Sequence, residues 1–154
     1  MSPLPPLYSR LLVATGGAPH SVLAVERAAQ LAQHYGAAIH LVTVIPQGQG
    51  GLENVALALG AGSPDTRTAQ AERQRFETHL QQTAQALRSR GLTVREHLVT
   101  ALKPADAILT VAHDVQADLI VLGRRHTSAW SAALAGSVSD MVSHASPVDV
   151  LVVR

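Results

Sequence analysis

The chain has 154 residues, of which 47% are apolar and 3% aromatic, and its formal net charge is +1. This length suits a single domain, whose core must be aliphatic because aromatic residues are scarce. No basic block favours nucleic acid as a partner, and the absence of cysteine excludes disulfides and thiolate metal sites. No apolar run reaches the length of a membrane span and the N-terminus lacks an apolar signal region, so we expect a cytoplasmic protein without a membrane partner.

The N-terminal part of the chain predicts an arm, a strand and a helix. Residues 1–9 contain three prolines and no periodicity, which is typical of an extended arm before a single domain over residues 10–154. The apolar run Arg10–Thr15 indicates a buried strand, and a Gly-Gly turn follows it. Ser21 is the predicted N-cap of the first helix, and Gly36 is its predicted end.

The middle of the chain predicts two strands separated by a loop and a long helix. Residues 38–45 form the second strand. Residues 47–62 contain five glycines and predict a flexible loop. The second helix begins at Ser63, which is followed by Pro and Asp, and runs to Arg90. Residues 92–100 alternate in polarity, which indicates an edge strand with one face more exposed to solvent.

The last third of the chain predicts two helices and two strands. A third helix begins at Pro104, and the uninterrupted apolar run Leu119–Leu122 is typical of a strand buried on both faces. The sequence Gly136-Ser137 leads into a fourth helix with hydroxyl groups in its first turn. Residues 148–153 form the last strand.

Five strands alternate with four helices in this prediction, so the fold is a doubly wound α/β fold. Each crossover contains a helix, which predicts a five-stranded parallel sheet with right-handed connections and helices on both faces. Ligands of such sheets bind beyond the carboxyl ends of the strands, where the winding direction reverses. If the first and fourth strands are neighbours, Thr15, Gly16 and Gly17 lie beside Gly123 and the helix start at Gly136.

The loop after the fourth strand is cationic, with Arg124, Arg125 and His126. The helix that follows begins with Ser137 and Ser139 near its N-terminus, where free backbone N–H groups and the helix dipole attract phosphate. This arrangement predicts an anion site. A second interpretation stays open, since two arginines are often a solvated loop pair and serines cap a helix whether or not a ligand binds.

These residues resemble the universal stress protein family over almost the whole chain, from Arg10 to Arg154. The family's nucleotide motif is Gly, two residues, Gly, nine residues, Gly, then Ser or Thr. Gly123 matches its first glycine and Gly136-Ser137 match its last two positions, with the nine-residue spacing intact. The resemblance implies a sheet of the adenine-nucleotide alpha-hydrolase-like kind, with strand order 3-2-1-4-5.

Among the departures from the family's nucleotide pattern, two concern residues of the predicted site. His126 replaces the second glycine of the motif, and Gly16 replaces the Asp that contacts the nucleoside in ATP-binding members. Val44 keeps the position whose backbone resembles the family's adenine contact. The resemblance therefore implies a partly degenerate site that binds ATP or another adenine nucleotide weakly, together with Mg²⁺. The predicted site residues are Thr15, Gly16, Gly17, Val44, Gly123, Arg124, His126, Gly136, Ser137, Val138 and Ser139.

Three classes of function follow from the sequence. The first is a nucleotide-binding stress-response or regulatory domain with at most slow ATP hydrolysis and no dedicated catalytic residue. The second is an interaction module of the same fold that binds no nucleotide, dimerises and has an unknown protein partner; the resemblance implies a homodimer through Val148–Val153. The third is another kind of enzyme, which no residue constellation supports. The eight histidines lack metal-site spacing, so no metal site is predicted.

Overall fold

The computed structural model describes residues 2–47, 66–124 and 138–154. The strands in these ranges are β1 (Arg10–Ala14), β2 (Ala38–Pro46), β3 (Val94–Ala101), β4 (Leu119–Gly123) and β5 (Asp149–Val153). The helices are α1 (Pro19–Tyr35), α2 (Thr66–Arg88), α3 (Pro104–Asp114) and α4 (Val138–Ala145). Strands and helices alternate along the chain, as the sequence predicts.

The five strands form one parallel sheet in the order β3-β2-β1-β4-β5. This order confirms the predicted doubly wound sheet. The winding direction reverses between β1 and β4, where Leu11 pairs with Leu119 and Val13 with Val121. The carboxyl ends of these two strands therefore border the crevice in which folds of this kind bind ligands.

Two of the described helices cover each face of the sheet. Helices α1 and α2 pack on the face that carries Leu11 and Val13, and helices α3 and α4 pack on the face that carries Leu12 and Ile120. Successive residues of a strand point to opposite faces, so the apolar runs of β1 and β4 contribute to both cores. The buried positions of α1 are mostly small: Ser21, Ala24, Val25, Ala28, Ala29 and Ala32. Small side chains let this helix lie close to the sheet.

The start of α1 differs from the prediction. The helix begins at Pro19, with Ala18 as an N-cap that makes no side-chain cap bond. Ser21, the predicted N-cap, is buried in the first turn, where its hydroxyl donates to the carbonyl oxygen of Ala18 at 2.7 Å. The prediction was wrong because Pro, whose fixed φ suits the first helical position, was the stronger start signal. The predicted end is confirmed: Gly36 has φ 68° and donates its N–H to Ala32.

Two acidic side chains fasten the N-terminal segment to the amino edge of the sheet. The carboxylate of Asp118 accepts hydrogen bonds from the backbone N–H groups of Ser9 and Arg10, at 2.8 and 3.0 Å. The hydroxyl of Tyr8 donates to the carboxylate of Asp149 at 2.8 Å, and this bond raises the pKa of the Tyr8 hydroxyl. The beginning of β1 is thereby tied to residues next to β4 and in β5.

The predicted loop over residues 47–62, apart from Gln47, and the predicted helix start at Ser63 lie outside the described residues. Helix α2 is described from Thr66 onward, and it buries Leu80, among others, against the sheet. Within the described ranges, no helix combines the length and the apolar character that crossing a membrane would need.

Candidate functional site

The sheet brings the predicted site residues of three segments to its carboxyl edge. Thr15 directly follows β1, and the β1–β4 register, extended by two residues, places it level with Gly123. The β1–β2 register, extended in the same way, places Gly16 level with Val44. Because the strands are parallel, all these positions lie at the same edge of the sheet, and Thr15 and Gly123 border the crevice between β1 and β4. The register therefore places the start of the Thr15–Gly17 turn next to the end of β4.

Gly123 has a structural reason to be glycine. A Cβ atom built at this position would overlap the backbone carbonyl group of His20, in the first turn of α1. A side chain here would therefore have to push α1 away from β4. The first glycine of the nucleotide motif is thus explained by the packing of α1 alone, and its presence does not by itself indicate a bound phosphate.

The turn between β1 and α1 contains two glycines that differ in their surroundings. Gly17 has φ 86°, a left-handed conformation that side chains rarely adopt, so the turn itself requires glycine there. Gly16 has no positive φ, and among the described residues a Cβ at this position would meet no atom within 4 Å beyond its chain neighbours. The described residues therefore leave space for a Cβ atom at the position where the resembled family carries an acidic residue.

A polar contact at the end of β1 was not predicted from the sequence. The hydroxyl of Thr15, which is 4% exposed, lies 2.9 Å from Nε2 of His79 on α2. The hydroxyl of Thr43 donates to the backbone carbonyl of Thr15 at 2.7 Å. The His79 ring also lies against Gly17, since a Cβ on that glycine would be 3.5 Å from Nδ1. These contacts hold α2 against the β1–α1 turn and place an imidazole beside the end of β1.

The phosphate half of the predicted site is only partly described. Val138 and Ser139 lie in the first turn of α4, where Val138 is exposed and Ser139 is buried. The same turn contains Asp140, whose negative charge opposes the attraction of the helix N-terminus for an anion. Arg124 is exposed, and its backbone N–H donates to the carbonyl of Val153 at 2.8 Å, which continues the β4–β5 ladder.

The remaining predicted residues of this half, His126, Gly136 and Ser137, lie outside the described residues. Arg125 lies there as well. The prediction that His126 replaces a phosphate-loop glycine therefore stays a prediction.

Among the grooves that the described residues form, two bear on the position of the candidate site. One, of about 310 Å³, lies between α1 and α2; Thr15 and His79 line it, and so do Glu26 and Arg90, which form an ion pair at 2.9 Å. The other, of about 520 Å³, lies between β3 and α3 and is lined by Val99 and neighbouring residues. The larger groove contains none of the predicted site residues. The candidate site is therefore identified by the position of Thr15 at the switch point of the sheet and not by the size of a groove.

Metal-binding side chains do not cluster in the described part of the chain. No group of three or more histidine or acidic residues in these ranges lies close enough together to hold a metal ion. A metal ion at the crevice would therefore depend on ligands that the described side chains do not supply, such as the oxygens of a nucleotide's phosphates.

Solved structures of similar proteins share the fold. The universal stress protein UspA from Lactobacillus plantarum superposes with a TM-score of 0.75 at 21% identity, over 96% of this chain and 98% of that one. A universal stress protein in complex with cAMP gives 0.67 at 26% identity, over 96% and 97%. A universal stress protein from Archaeoglobus fulgidus in complex with dAMP gives 0.62 at 22% identity, over 96% and 99%.

The sequence comparisons agree with the structural ones. A curated relative from Thermus aquaticus, described as a universal stress protein in a QAH/OAS sulfhydrylase 3′ region, is 30% identical over 148 residues, which are 96% of this chain and 100% of the relative. The model of the universal stress protein family matches residues 7–154. On this match, and on the sheet order and crevice described above, the chain belongs to the universal stress protein family.

Proposed function

We propose that this protein is a cytoplasmic stress-response or regulatory domain that binds an adenine nucleotide, such as ATP or AMP, weakly in the crevice between β1 and β4. The observation that carries the proposal is the space that the described residues leave beside Gly16, which is level with Val44 and next to the end of β4. Related structures with cAMP and with dAMP support an adenine nucleotide as the class of ligand.

In this proposal each segment of the crevice meets one part of the nucleotide. The backbone at Val44 contacts the base, and the space beside Gly16 receives the sugar. The first turn of α4, at Val138 and Ser139, faces the phosphates, because the N-terminus of a helix presents backbone N–H groups and a partial positive charge. Mg²⁺ would arrive with the phosphates, whose charge it neutralises.

The same residues explain why we expect binding to be weak. Gly16 offers no carboxylate to a sugar hydroxyl, and the loss of such a contact costs about 1 to 3 kcal/mol. Asp140 adds a negative charge to the turn that would face the phosphates. The backbone N–H of Arg124 is already bonded to Val153, so only its side chain is left for a phosphate.

Calorimetric titration with ATP and Mg²⁺ tests the proposal. We expect saturable binding with a dissociation constant between the micromolar and the millimolar range, and weaker binding in Arg124→Gln, since an exposed cation next to the crevice is lost. Arg95→Gln is the matched control: Arg95 is equally exposed but lies on β3, near the amino edge of the sheet. A flat titration and an unchanged melting temperature at millimolar ATP would contradict the proposal.

The second candidate is a dimeric interaction module, and the edge strand β5 favours it. Val150, Leu151 and Val152 are only partly buried, and β5 pairs with β4 on one side only among the described strands. An apolar edge of this kind readily pairs with a second copy. We propose a homodimer through residues 148–153, which light scattering would show as twice the 16.2 kDa chain mass. A monomer at micromolar concentration would contradict it.

A further inference from the structure

Two histidines on neighbouring strands form a hydrogen-bonded pair outside the predicted site. His40 on β2 and His97 on β3 approach with Nδ1 of the first 2.9 Å from Nε2 of the second. Their rings are 5.2 Å apart between centroids and inclined by 30°. His40 is 8% exposed and His97 is half-buried, so the pair is largely withdrawn from water.

The pair lies at one edge of the sheet. Among the described strands, β3 pairs only with β2, along the register from Ile39–Val94 to Pro46–Ala101. His40 is level with Leu12 of β1, so it points to the face covered by α3 and α4. The imidazole pair is therefore a side-chain connection between an edge strand and the strand that holds it.

We propose that the His40–His97 pair is a proton-sensitive latch that fastens β3 to β2 at neutral pH and releases it in acid. In the neutral pair one ring donates its N–H and the other accepts with its free nitrogen lone pair. After one proton is added, the charged ring can still donate an N–H to the lone pair of the neutral ring. A second proton removes the last acceptor, so that two imidazolium rings face each other without a hydrogen bond.

The charges around the pair favour its neutral form. Burial, followed by the positive charges of His97, Arg95 and Arg10, lowers the pKa of His40. Burial and the charge of Arg95 lower the pKa of His97. The pair therefore lies near cations on both β1 and β3, and these positive charges repel a proton that binds to it.

Helix α3, which packs on β2 and β3, does not compensate for those cations. Asp106 and Asp114 of α3 line the groove next to Val99, two residues beyond His97. In the described part of the chain neither carboxylate bonds to an imidazole of the pair. The nearby cations also disfavour a metal ion between the two rings, since it would add further positive charge.

The sign of the effect follows from the lowered pKa values. In the unfolded chain a histidine binds a proton below about pH 6.5, whereas the folded pair binds one only at a lower pH. The stabilisation is therefore complete above that pH and is lost as the pH falls towards the folded pKa. A histidine that stayed wholly neutral in the fold would raise the unfolding equilibrium constant about tenfold between about pH 7.5 and about pH 5.5.

The test combines unfolding by urea with backbone hydrogen exchange at these two pH values, in the presence of a metal chelator. In the wild type we expect the unfolding constant to rise several-fold in acid, and the amides of β3 to exchange faster in acid relative to those of β4. In His97→Gln, whose amide can still donate and accept but does not titrate, both changes should shrink. His34→Gln is the control, because His34 is exposed on α1.

Arg95→Gln provides a second variant that leaves both histidines in place. Removing this exposed cation should weaken the acid effect, since a source of repulsion for the bound proton is lost. The proposal is overturned if His97→Gln keeps the pH dependence of the wild type. It is also overturned if β3 exchange shows no acid response relative to β4, or if Arg95→Gln leaves that response unchanged.

Discussion

Gly123→Ala is expected to lower the free energy of unfolding by about 3 kcal/mol or more. The added methyl group would overlap the carbonyl of His20, which belongs to the backbone of α1 and cannot rotate away as a side chain could. Relief requires α1 to move away from β4, and α1 also packs on β1 and β5. The loss in the free energy of unfolding should therefore exceed the effect of adding a methyl group at an exposed surface position.

Gly16→Ala is the matched control for this prediction, since both positions lie at the carboxyl edge of the sheet. A methyl group at Gly16 meets no described neighbour, so the stability should stay unchanged or rise by up to about 1 kcal/mol. Urea unfolding of both variants measures the contrast. Equal stability of the two would show that α1 does not need the close approach at Gly123.

Gly16→Asp is expected to raise the affinity for ATP by about tenfold to a hundredfold. The Cβ atom of this residue would meet no described neighbour within 4 Å, and its carboxylate would lie at the proposed sugar position, level with Val44. A carboxylate that accepts a hydrogen bond from a sugar hydroxyl supplies the contact that the native chain lacks. Titration calorimetry with ATP and Mg²⁺ measures the change.

Gly16→Ala serves again as the control, because it fills the space without offering an acceptor, and it should bind ATP like the wild type or less well. The double variant Gly16→Asp, His126→Gly restores both family positions and should bind more tightly still. If Gly16→Asp is stably folded and binds no better than Gly16→Ala, the assignment of Gly16 to the family's acidic position is wrong, even if the native protein binds ATP.

The fold could be predicted from the sequence because its signals are local. The apolar run Leu119–Leu122 and the alternation in residues 92–100 identify a central and an edge strand, and the structure confirms both assignments. One helix for each crossover then makes a parallel sheet the natural arrangement. The start of α1 was missed because two local signals, Pro19 and Ser21, competed within three residues.

The contacts of the candidate site could be predicted only in part. The meeting of Thr15 with the end of β4 follows from topology, but the approach of His79 joins residues 64 positions apart, and only packing decides it. The partner of His40 could not be predicted either, although a histidine inside the apolar second strand indicated that such a partner exists. A buried polar side chain almost always has a hydrogen-bond partner, so His40 required one nearby.

The parallel sheet has a practical consequence for anyone who attaches a tag or a fluorophore to this protein. Ser9 and Arg10 enter the sheet at its amino edge, where Asp118 holds them, so a fusion before Tyr8 leaves from the side opposite the crevice. Val153 ends β5 at the carboxyl edge and accepts the N–H of Arg124. A label or a purification tag on Arg154 would therefore lie at the carboxyl edge of the sheet, on the same side as the crevice.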